Sequence, residues 1–380
     1  MRNRFSGILF VVIAIIVVCV TREEFLAMRK PLKINQGPGV TEIKHLSDYF
    51  PAIKGTRGDT DVYILAGEKP GGTALILGGT HPNEPAGHLA AILLVERLKL
   101  DSGRLLILPR TNVSGFTVTD PQEASPPAYA INTPSGKRWF RCGSRSTSPM
   151  DQWPDPDIYL HYPSGQILSG NQTRNLNRAF PGRPDGNFTE RTAFAVTELV
   201  KRERVDLVID LHEASPEYPV INAIVAHERA MPLAVNVLMN LEMRNIRIGL
   251  EPSPQNLHGL THRELGDHTP ALAVLMETAN PAQGRLRGRT SSELIVTGID
   301  KMYIRAYGSK RLFVDFDEKG HPISERVFRH LAGIEEFLKV FSEQNPGRTI
   351  ISLYYPSPEE IQEKGLGAFL QNGPTSGKLP

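Results

Sequence analysis

The sequence contains very little cysteine, with two residues in 380, at positions 19 and 142. Cys19 lies in an apolar run near the N-terminus, so the rest of the chain has one thiol and no partner for an internal disulfide. A structural zinc site built from a cluster of cysteines is excluded for the same reason. Cys142 stands in a loop rich in Gly, Ser and Arg, where we expect a free thiol rather than a reactive one.

The sequence also lacks an excess of either charge. It has 43 basic and 41 acidic side chains, which give a formal net charge of +2. Binding to nucleic acid depends on a basic surface that releases counterions from phosphates, so this balance predicts no nucleic-acid partner. Hydrophobic residues make up 40% and charged residues 22%, values typical of a globular α/β protein large enough for one big domain with insertions or for two domains.

Long hydrophobic runs are confined to the N-terminus. Arg2 and Arg4 precede an apolar run over residues 5–20, which predicts a signal peptide or signal anchor at residues 1–21. No pair of small residues precedes Thr21 to invite cleavage, which favours an uncleaved anchor. The positive-inside rule then places the remainder outside the cytoplasm, in the cell envelope or periplasm, with membrane contact through the N-terminal segment only.

The body of the chain shows the alternation typical of α/β proteins. We expect strands at residues 61–66, 73–77 and 104–108, with a helix at residues 86–100 before the third strand. Strand, helix, strand is the crossover unit of a largely parallel sheet. Further patterns predict helices at 189–201, 229–240, 293–305 and from Ser324, and strands at 205–211, 220–226 and 271–276.

Four segments complete the predicted organisation. Residues 22–58 have the composition of a polar linker and lead-in, and residues 59–344 form the main domain. A long loop insertion at about 115–171 is dense in Pro, Gly, Ser and aromatic residues, and we expect it to wall the site. Residues 345–380 are rich in Pro and Gly and are predicted as a C-terminal tail.

Three residues at strand ends have the side chains that bind a metal. The apolar run 74–77 ends in Gly78 and Gly79 and delivers His81 and Glu84, three residues apart, just before a helix. The strand Val-Asp-Leu-Val-Ile-Asp-Leu leads directly to His212. Because the carboxyl ends of parallel strands share one edge of a sheet, two imidazoles and a carboxylate can converge on one cation and leave a position for water.

Two further motifs supply acid–base and binding groups. The strand Ala-Leu-Ala-Val-Leu-Met ends in Glu277, a carboxylate at the same edge and a candidate general base. The segment Asn-Leu-Asn-Arg-Ala-Phe-Pro-Gly contains Asn177 and Arg178. A guanidinium fork can hold a carboxylate with two parallel hydrogen bonds, which suits a substrate with a free carboxylate.

In chain order, His81 and Glu84 come first, then Asn177 and Arg178, then His212 and finally Glu277. The four motifs in that order, over roughly residues 60–310, resemble the zinc carboxypeptidase superfamily and most closely its succinylglutamate desuccinylase/aspartoacylase branch. The resemblance implies an α/β fold with a mixed, mostly parallel central sheet flanked by helices on both faces. It implies one Zn²⁺ per chain on His81, Glu84 and His212, with Glu277 as general base. It also implies that Asn177 and Arg178 hold the substrate carboxylate.

The sequence departs from the family at two positions. Asn175 stands where the family has an Asp that hydrogen-bonds a zinc-bound His, so either this amide or another carboxylate such as Asp210 takes that part. The family also uses a further Arg to steady the oxyanion, which spacing does not fix here. We assign Arg174 to substrate binding, with Arg138, Arg141 and Arg145 as rivals, and we keep Glu213 as a rival to Glu277.

These residues predict a zinc-dependent hydrolase that cleaves an amide bond next to a free carboxylate, most simply an N-acyl amino acid deacylase. One alternative is an extracytoplasmic zinc carboxypeptidase that acts on peptides or cell-wall fragments. The other is a non-catalytic relative that binds carboxylates. The expected partner is accordingly a small carboxylate-bearing substrate or a peptide, and no sequence feature indicates an oligomeric state.

Overall fold

The computed structural model describes residues 2–120 and 126–371. Part of the predicted loop insertion, residues 121–125, and the end of the predicted tail, residues 372–380, lie outside the described residues. Thirteen strands occur in the described part: β1 (Val40–His45), β2 (Asp61–Ala66), β3 (Lys69–Gly78), β4 (Lys99–Leu108), β5 (Ala128–Thr133), β6 (Gly136–Arg141), β7 (Ile158–Leu160), β8 (Ile167–Ser169), β9 (Leu207–Ala214), β10 (Ala223–Ala226), β11 (Gly249–Pro252), β12 (Leu272–Ala279) and β13 (Ile351–Tyr354).

The same part of the chain contains nine α-helices: α1 (Arg2–Met28), α2 (Pro85–Arg97), α3 (Phe188–Arg202), α4 (Met231–Met243), α5 (Thr261–His268), α6 (Ser292–Thr297), α7 (Lys301–Gly308), α8 (Ile323–Gln344) and α9 (Pro358–Lys364).

One sheet organises the molecule, in the order β1-β2-β4-β3-β9-β12-β10-β11, with β13 paired to the start of β4. Its four central strands, β4, β3, β9 and β12, run parallel to one another. The strands β2 and β10 flank them in the opposite direction. A mixed sheet with a parallel centre confirms the predicted fold class, and β3, α2 and β4 form the predicted crossover unit.

Helices cover both faces of this sheet. On one face, α2, α4 and α8 bury a large apolar cluster that includes Leu93, Val237 and Phe337. On the other face, α3 and α5 close a second cluster that includes Leu199 and Leu265. Because side chains alternate between the faces of a strand, Val208 belongs to the second cluster and its neighbour Ile209 to the first.

The structure adds one detail to the sequence-based elements and differs from them in another. The strands β2 and β3 follow each other in sequence but do not pair, because β4 lies between them in the sheet. The helix predicted at residues 293–305 is two helices, α6 and α7. Gly298 separates them with a positive φ of 66°, a left-handed conformation that glycine adopts without a steric penalty and that ends α6.

The segments predicted as linker, insertion and tail all contain regular structure. In residues 22–58, α1 continues to Met28 and β1 forms an edge of the sheet beside β2. The insertion carries two small hairpins, β5–β6 and β7–β8. In residues 345–371, β13 pairs with β4, and α9 packs against α8.

The N-terminal helix α1 stands apart from the core. Its span Arg4–Ala27 is long and apolar enough to cross a membrane, a property that signal sequences share. None of that span is buried against the protein. Cys19 lies on this helix, whereas Cys142 is buried, and burial raises the pKa of the Cys142 thiol to about 12. The thiol is therefore uncharged at neutral pH and has little nucleophilic character.

Candidate active site

Two strands and one helix position the predicted metal ligands at the carboxyl edge of the sheet. His81 follows β3 after Gly79, whose positive φ of 65° turns the chain. Glu84 is the residue that precedes α2. His212 lies inside β9 rather than after it, since this strand extends two residues further to Ala214. The side chains of all three residues are almost completely buried.

The three side chains converge on one point. The Nδ1 atoms of His81 and His212 lie 3.1 Å apart. The carboxylate of Glu84 lies between them, with Oε1 2.8 Å from Nδ1 of His81 and Oε2 2.8 Å from Nδ1 of His212. This arrangement places two imidazole nitrogens and a carboxylate oxygen within 4.8 Å of one another. The structure therefore brings together the three residues that the sequence predicts as metal ligands.

The outward ring nitrogens are held by two different acceptors. Nε2 of His81 donates to Oδ1 of Asn175 over 2.9 Å. Nε2 of His212 donates to Oδ2 of Asp210 over 2.8 Å. Asp210 lies two residues before His212 on the same face of β9, and Thr80 donates to its other oxygen. Both alternatives left open by the sequence are therefore used, one for each imidazole.

This arrangement leaves the site short of positive charge. A proton on Nε2 leaves Nδ1 of a neutral imidazole with a lone pair, and here both Nδ1 atoms face carboxylate oxygens. Burial and nearby Arg145 lower the pKa of His81 to about 4. Burial opposes the charge on His212 too, but Asp210 and Glu84 raise the pKa of His212 well above its usual value. A metal cation fits this donor set because it would replace the proton that His212 carries in its absence and would bind both Nδ1 atoms and the carboxylate at once.

Glu277 is the fourth residue of the centre. It lies on β12 in register with His212 on the neighbouring parallel strand, so both side chains project from the same face of the sheet. Its Oε2 is buried and has no hydrogen-bond partner among the described residues. Burial, followed by the charge of Glu84, raises the pKa of Glu277 to about 8. An unpaired carboxyl group with a raised pKa is the usual state of a general base or acid.

A cleft of about 1270 Å³ opens over this centre, and Glu277, Asn177 and Arg178 line it. Oδ1 of Asn177 accepts from the backbone N–H and the hydroxyl of Thr261, which fixes the amide. The guanidinium of Arg178 donates to the backbone carbonyl of Asn177, and no ion pair within residues 2–120 and 126–371 involves it. Arg178 is thus a partly buried cation without a countercharge, a suitable site for a carboxylate.

The structure places the four arginines considered for the oxyanion differently from the sequence-based assignment. Arg174 pairs with both oxygens of Asp155 and does not line the cleft. Arg138 is buried against Glu96, and Arg141 donates to the carbonyl of Ala27. Arg145 is the one that lines the cleft, with Nη1 3.0 Å from Oε1 of Glu84. The structure therefore does not bring Arg174 to the cleft, because Asp155 engages its guanidinium elsewhere, and of the four arginines Arg145 is the one placed there.

Sequence reasoning did not identify two further polar groups of the site. Gln283 lies after β12 and directs its amide towards Glu84, with Nε2 3.4 Å from Oε1. His262, at the start of α5, lines the cleft and is buried, and neither ring nitrogen has a hydrogen-bond partner among the described residues. Three histidines lie between β11 and β12, and the packing of α5 against β9 and β12, which the sequence pattern does not reveal, is what brings His262 to the cleft.

The rival base and a second histidine cluster are both engaged in structural contacts. Glu213 accepts from Arg326 over 2.6 Å and from the backbone N–H of Ala86 over 2.8 Å. It therefore holds α8 and α2 to β9. A second group that can approach a metal consists of His161, His258 and Glu264. Both ring nitrogens of His161 are already hydrogen-bonded, to Ser164 and to the carbonyl of Phe180, so this cluster serves packing.

The geometry defines a class of site: a buried His-Glu-His group with an adjacent carboxylate and an arginine that has no ion-pair partner among the described residues. Comparison with known sequences points to a family. Residues 163–279 match the sequence profile of the succinylglutamate desuccinylase/aspartoacylase catalytic domain. A segment of 166 residues is 29% identical to the N-alpha-acetyl-L-2,4-diaminobutyric acid deacetylase of Halomonas elongata. It covers 43% of this chain and 34% of that protein, so the chain spans about a third of this curated relative. The predicted resemblance to this branch is confirmed.

The overall likeness of this chain to solved structures is limited. The ectoine utilization protein EutE (DoeB) from Ruegeria pomeroyi has a TM-score of 0.39 at 22% identity and covers 58% of this chain and 53% of its own. A succinylglutamate desuccinylase from Silicibacter sp. TM1040 has a TM-score of 0.38 at 19% identity, with coverages of 60% and 55%. A metallo-carboxypeptidase from Burkholderia cenocepacia has a TM-score of 0.45 at 11% identity, with coverages of 85% and 69%.

Proposed function

We propose that this protein is a zinc-dependent hydrolase that cleaves an amide bond next to a free carboxylate, as an N-acyl amino acid deacylase does. One observation carries the proposal: the unpaired carboxyl of Glu277 lies in register with His212, beside the convergent His81, Glu84 and His212 side chains. The relative from Halomonas elongata is named as a deacetylase of an acylated amino acid, which supports the substrate class.

The residues of the chain divide the chemical work. His81, Glu84 and His212 would hold one Zn²⁺, which supplies Lewis acidity and lowers the pKa of water bound at the site. Glu277 takes the proton from the attacking water and later delivers it to the leaving amine. Because a cation nearby favours the ionised carboxylate, metal binding brings the pKa of Glu277 below its metal-free value.

The cleft residues position the substrate. Arg178 and Asn177 bind the substrate carboxylate, the arginine through its unpaired guanidinium and the asparagine through the amide nitrogen that Thr261 leaves available. Arg145 lies beside Glu84 at the edge of the cleft, where it stabilises the negative oxygen of the tetrahedral intermediate. Burial and the nearby charge of Arg145 lower the pKa of Arg178 to about 10, which leaves it charged at neutral pH.

Glu277→Gln tests the proposal at its central residue. The amide cannot accept the proton of water, so we expect kcat on an N-acetyl amino acid substrate to fall by about 10² to 10⁴. The bound metal should be retained, because Glu277 is not one of the ligands. Release of free amino acid and metal content are measured on the same preparation. Activity that persists in a variant with full metal content would contradict the assignment of Glu277.

The size of the cleft favours a second candidate function. A volume of about 1270 Å³ exceeds the range of about 300 to 1,000 Å³ that accommodates most small ligands. A peptide C-terminus would place its carboxylate on Arg178 and extend along the cleft, as in a zinc carboxypeptidase acting on peptides or cell-wall fragments. Trimming of peptides, without hydrolysis of any N-acyl amino acid in a panel, would establish the carboxypeptidase instead of the deacylase.

Helix α1 bears on where in the cell the protein acts. We propose that Arg4–Ala27 anchors the protein in the membrane and that the folded body lies on the outer side, in the periplasm or cell envelope. A non-catalytic carboxylate-binding protein is the contrasting function. It would bind a carboxylate ligand through Arg178 with no turnover in the metal-loaded protein.

A further inference from the structure

The helix α1 is joined to the folded body without a flexible spacer. Three arginines of the body donate to backbone carbonyls at the end of the helix or just beyond it. Arg141 donates to Ala27 over 2.6 Å, Arg57 to Arg29 over 2.6 Å, and Arg110 to Leu32 over 2.8 Å. If α1 spans a bilayer, these contacts hold the adjoining surface of the body against the lipid headgroups.

Two large apolar side chains stand beside this junction. Met150 and Trp153 flank the segment of Asp151, whose carboxylate is 3.4 Å from the guanidinium of Arg29, the first residue after α1. Their side chains are 67% and 72% exposed. The segment is fixed rather than flexible, because Ser114 donates to Asp151 over 2.6 Å and Gln152 accepts from the backbone N–H of Thr189.

The hairpin β7–β8, which begins five residues after Trp153, carries a second set of exposed apolar side chains. Ile158 and Leu160 point to one side of β7, and Leu160 pairs with Ile167 across the hairpin. These three side chains are 56%, 59% and 69% exposed, whereas Tyr159 on the opposite face is buried and donates to Glu190. The hairpin thus has an inner face that attaches it to α3 and an outer face of three aliphatic residues with no cover among the described residues.

We propose that Met150, Trp153, Ile158, Leu160 and Ile167, here termed the apolar rim, are seated in the headgroup region of the membrane that α1 enters. The proposal rests on the membrane anchoring proposed above. It commits to lipid because Met150 and Trp153 flank Asp151, which contacts the first residue after α1, and because tryptophan is favoured at the interface between hydrocarbon and water.

The consequence is a fixed orientation of the enzyme on the membrane. With α1 as one attachment and the apolar rim as a second, the body cannot turn about the anchor. The edge of the sheet that carries the active centre is also the edge at which Arg110 follows β4 and binds Leu32. The cleft is therefore held at a constant height near the bilayer surface, where substrates of the cell envelope meet it.

Fluorescence of Trp153 in the full chain tests this inference. The protein has two tryptophans, so Trp139→Phe leaves Trp153 as the only one. In vesicles of neutral and anionic phospholipids, we expect the emission maximum of Trp153 to lie at a shorter wavelength than in the denatured protein. We also expect lipids brominated close to the headgroup to quench it at least twofold. The difference between the wild type and Trp153→Phe gives the same signal with Trp139 intact.

A matched control places tryptophan at the far end of the sheet. Leu353 lies on β13, which pairs with the start of β4. Arg110 follows the end of β4, and the eight strand residues between the two ends of β4 separate them by about 25 Å. Leu353 is as exposed as Leu160, with 57% against 59%. In a chain lacking both native tryptophans, Leu353→Trp should keep solvent-like emission and resist the brominated lipids.

The outcomes separate this inference from the anchoring on which it rests. Protein that floats with the vesicles while Trp153 stays unquenched would overturn the membrane-seated rim and leave the anchor intact. Protein that does not float, or whose mass shows that α1 has been removed, would overturn both. Protection of Trp153 only on addition of another protein, with no quenching by lipid, would assign the rim to a protein partner instead.

Discussion

Asn175 and Asp210 give the two imidazoles of the candidate centre unequal support. His81 donates to an amide oxygen, whereas His212 donates to a carboxylate, and a charged acceptor makes the imidazole a stronger ligand. Asn175 is locked in place, because its Oδ1 also accepts from the N–H of Asn177 and its Nδ2 donates to Gln172. With zinc bound at the proposed site, we therefore expect Asn175 to keep the affinity for the metal below its maximum.

Asn175→Asp should raise the affinity for zinc about tenfold, because the new carboxylate accepts the same hydrogen bond with a full charge. Asn175→Ala should lower it by about 10- to 100-fold, since His81 loses its orienting partner. Competition with a chromophoric chelator measures both. Gln172→Ala is the intermediate case, because it removes the hydrogen bond that orients the Asn175 amide but keeps the oxygen that faces His81. Equal affinities for all four proteins would contradict a role of Asn175 in the centre.

Among the residues of the candidate active site, the sequence pattern indicates those that lie in local motifs but not those that tertiary contacts bring into the cleft. His81 and Glu84 share one loop, and His212 and Glu277 each belong to an apolar strand pattern, so their spacing was informative. Arg145 lies in an irregular segment, where no periodicity separates it from Arg174. Its position beside Glu84 depends on how the insertion folds back over the sheet, which short-range patterns do not encode.

At the scale of elements, Glu203 ties the end of α3 to the edge of the sheet. This carboxylate accepts from Lys44 of β1 over 2.8 Å, from Tyr49 over 2.6 Å and from Arg104 of β4. Burial alone would raise the pKa of Glu203, but these three hydrogen bonds lower that pKa to about 2. The ionised carboxylate therefore holds three elements together.

This depressed pKa makes the stability depend on pH with a definite sign. The unfolded chain titrates at about 4.3, so the stabilisation is complete above about pH 4.5 and is lost as the pH falls towards 2. Glu203→Gln should lower the free energy of unfolding at pH 7 by about 1 to 2 kcal/mol, allowing for partial hydration. The difference should shrink as the pH falls below about 4.5 and should vanish only below the folded-state pKa of about 2, as followed by urea unfolding. A difference independent of pH would contradict this account.

Helix α8 is attached to the strand of His212 by a buried ion pair. Arg326 and Glu213 are almost completely buried and lie 2.6 Å apart. Arg326→Met leaves the carboxylate buried without its countercharge, so we expect a loss of about 3 to 5 kcal/mol in the free energy of unfolding.

Adding Glu213→Gln to Arg326→Met should recover most of that loss, because the amide is uncharged and can still accept from Ala86. Urea unfolding of the two single variants and the double variant completes the cycle. Equal stability of Arg326→Met and the double variant would show that the charge of Glu213 is not what the arginine compensates.

Most regular elements could be predicted because their hydrophobic periods are strong, and the exceptions have physical causes. The strands β9 and β12 run past the expected ends because their polar residues, His212 and Glu277, keep the ladder between them. The place of β4 between β2 and β3 is a matter of long-range pairing, which the pattern of a single strand does not contain. The break between α6 and α7 is marked in the sequence by Gly298, a signal that the periodicity of residues 293–305 concealed.

At the scale of the whole molecule, the parallel centre of the sheet accounts for the site. Four strands deliver their carboxyl ends to one edge, and the loops and strand ends there supply the two imidazoles and two carboxylates. The segments before and after the main domain were read from composition as linker and tail. They form β1 and β13 because pairing with β2 and β4 covers the sheet, and composition alone does not reveal such pairing.

Metal content of the full-length protein, purified without chelator, tests the central claim most directly. The wild type should contain about one zinc per chain, and the His81→Ala/His212→Ala variant should contain none. A matched His45→Ala/His268→Ala variant, which removes two histidines outside the cluster, should retain the wild-type content. A wild-type protein that holds no metal, even after zinc is supplied, would contradict the hydrolase mechanism and favour a carboxylate-binding function.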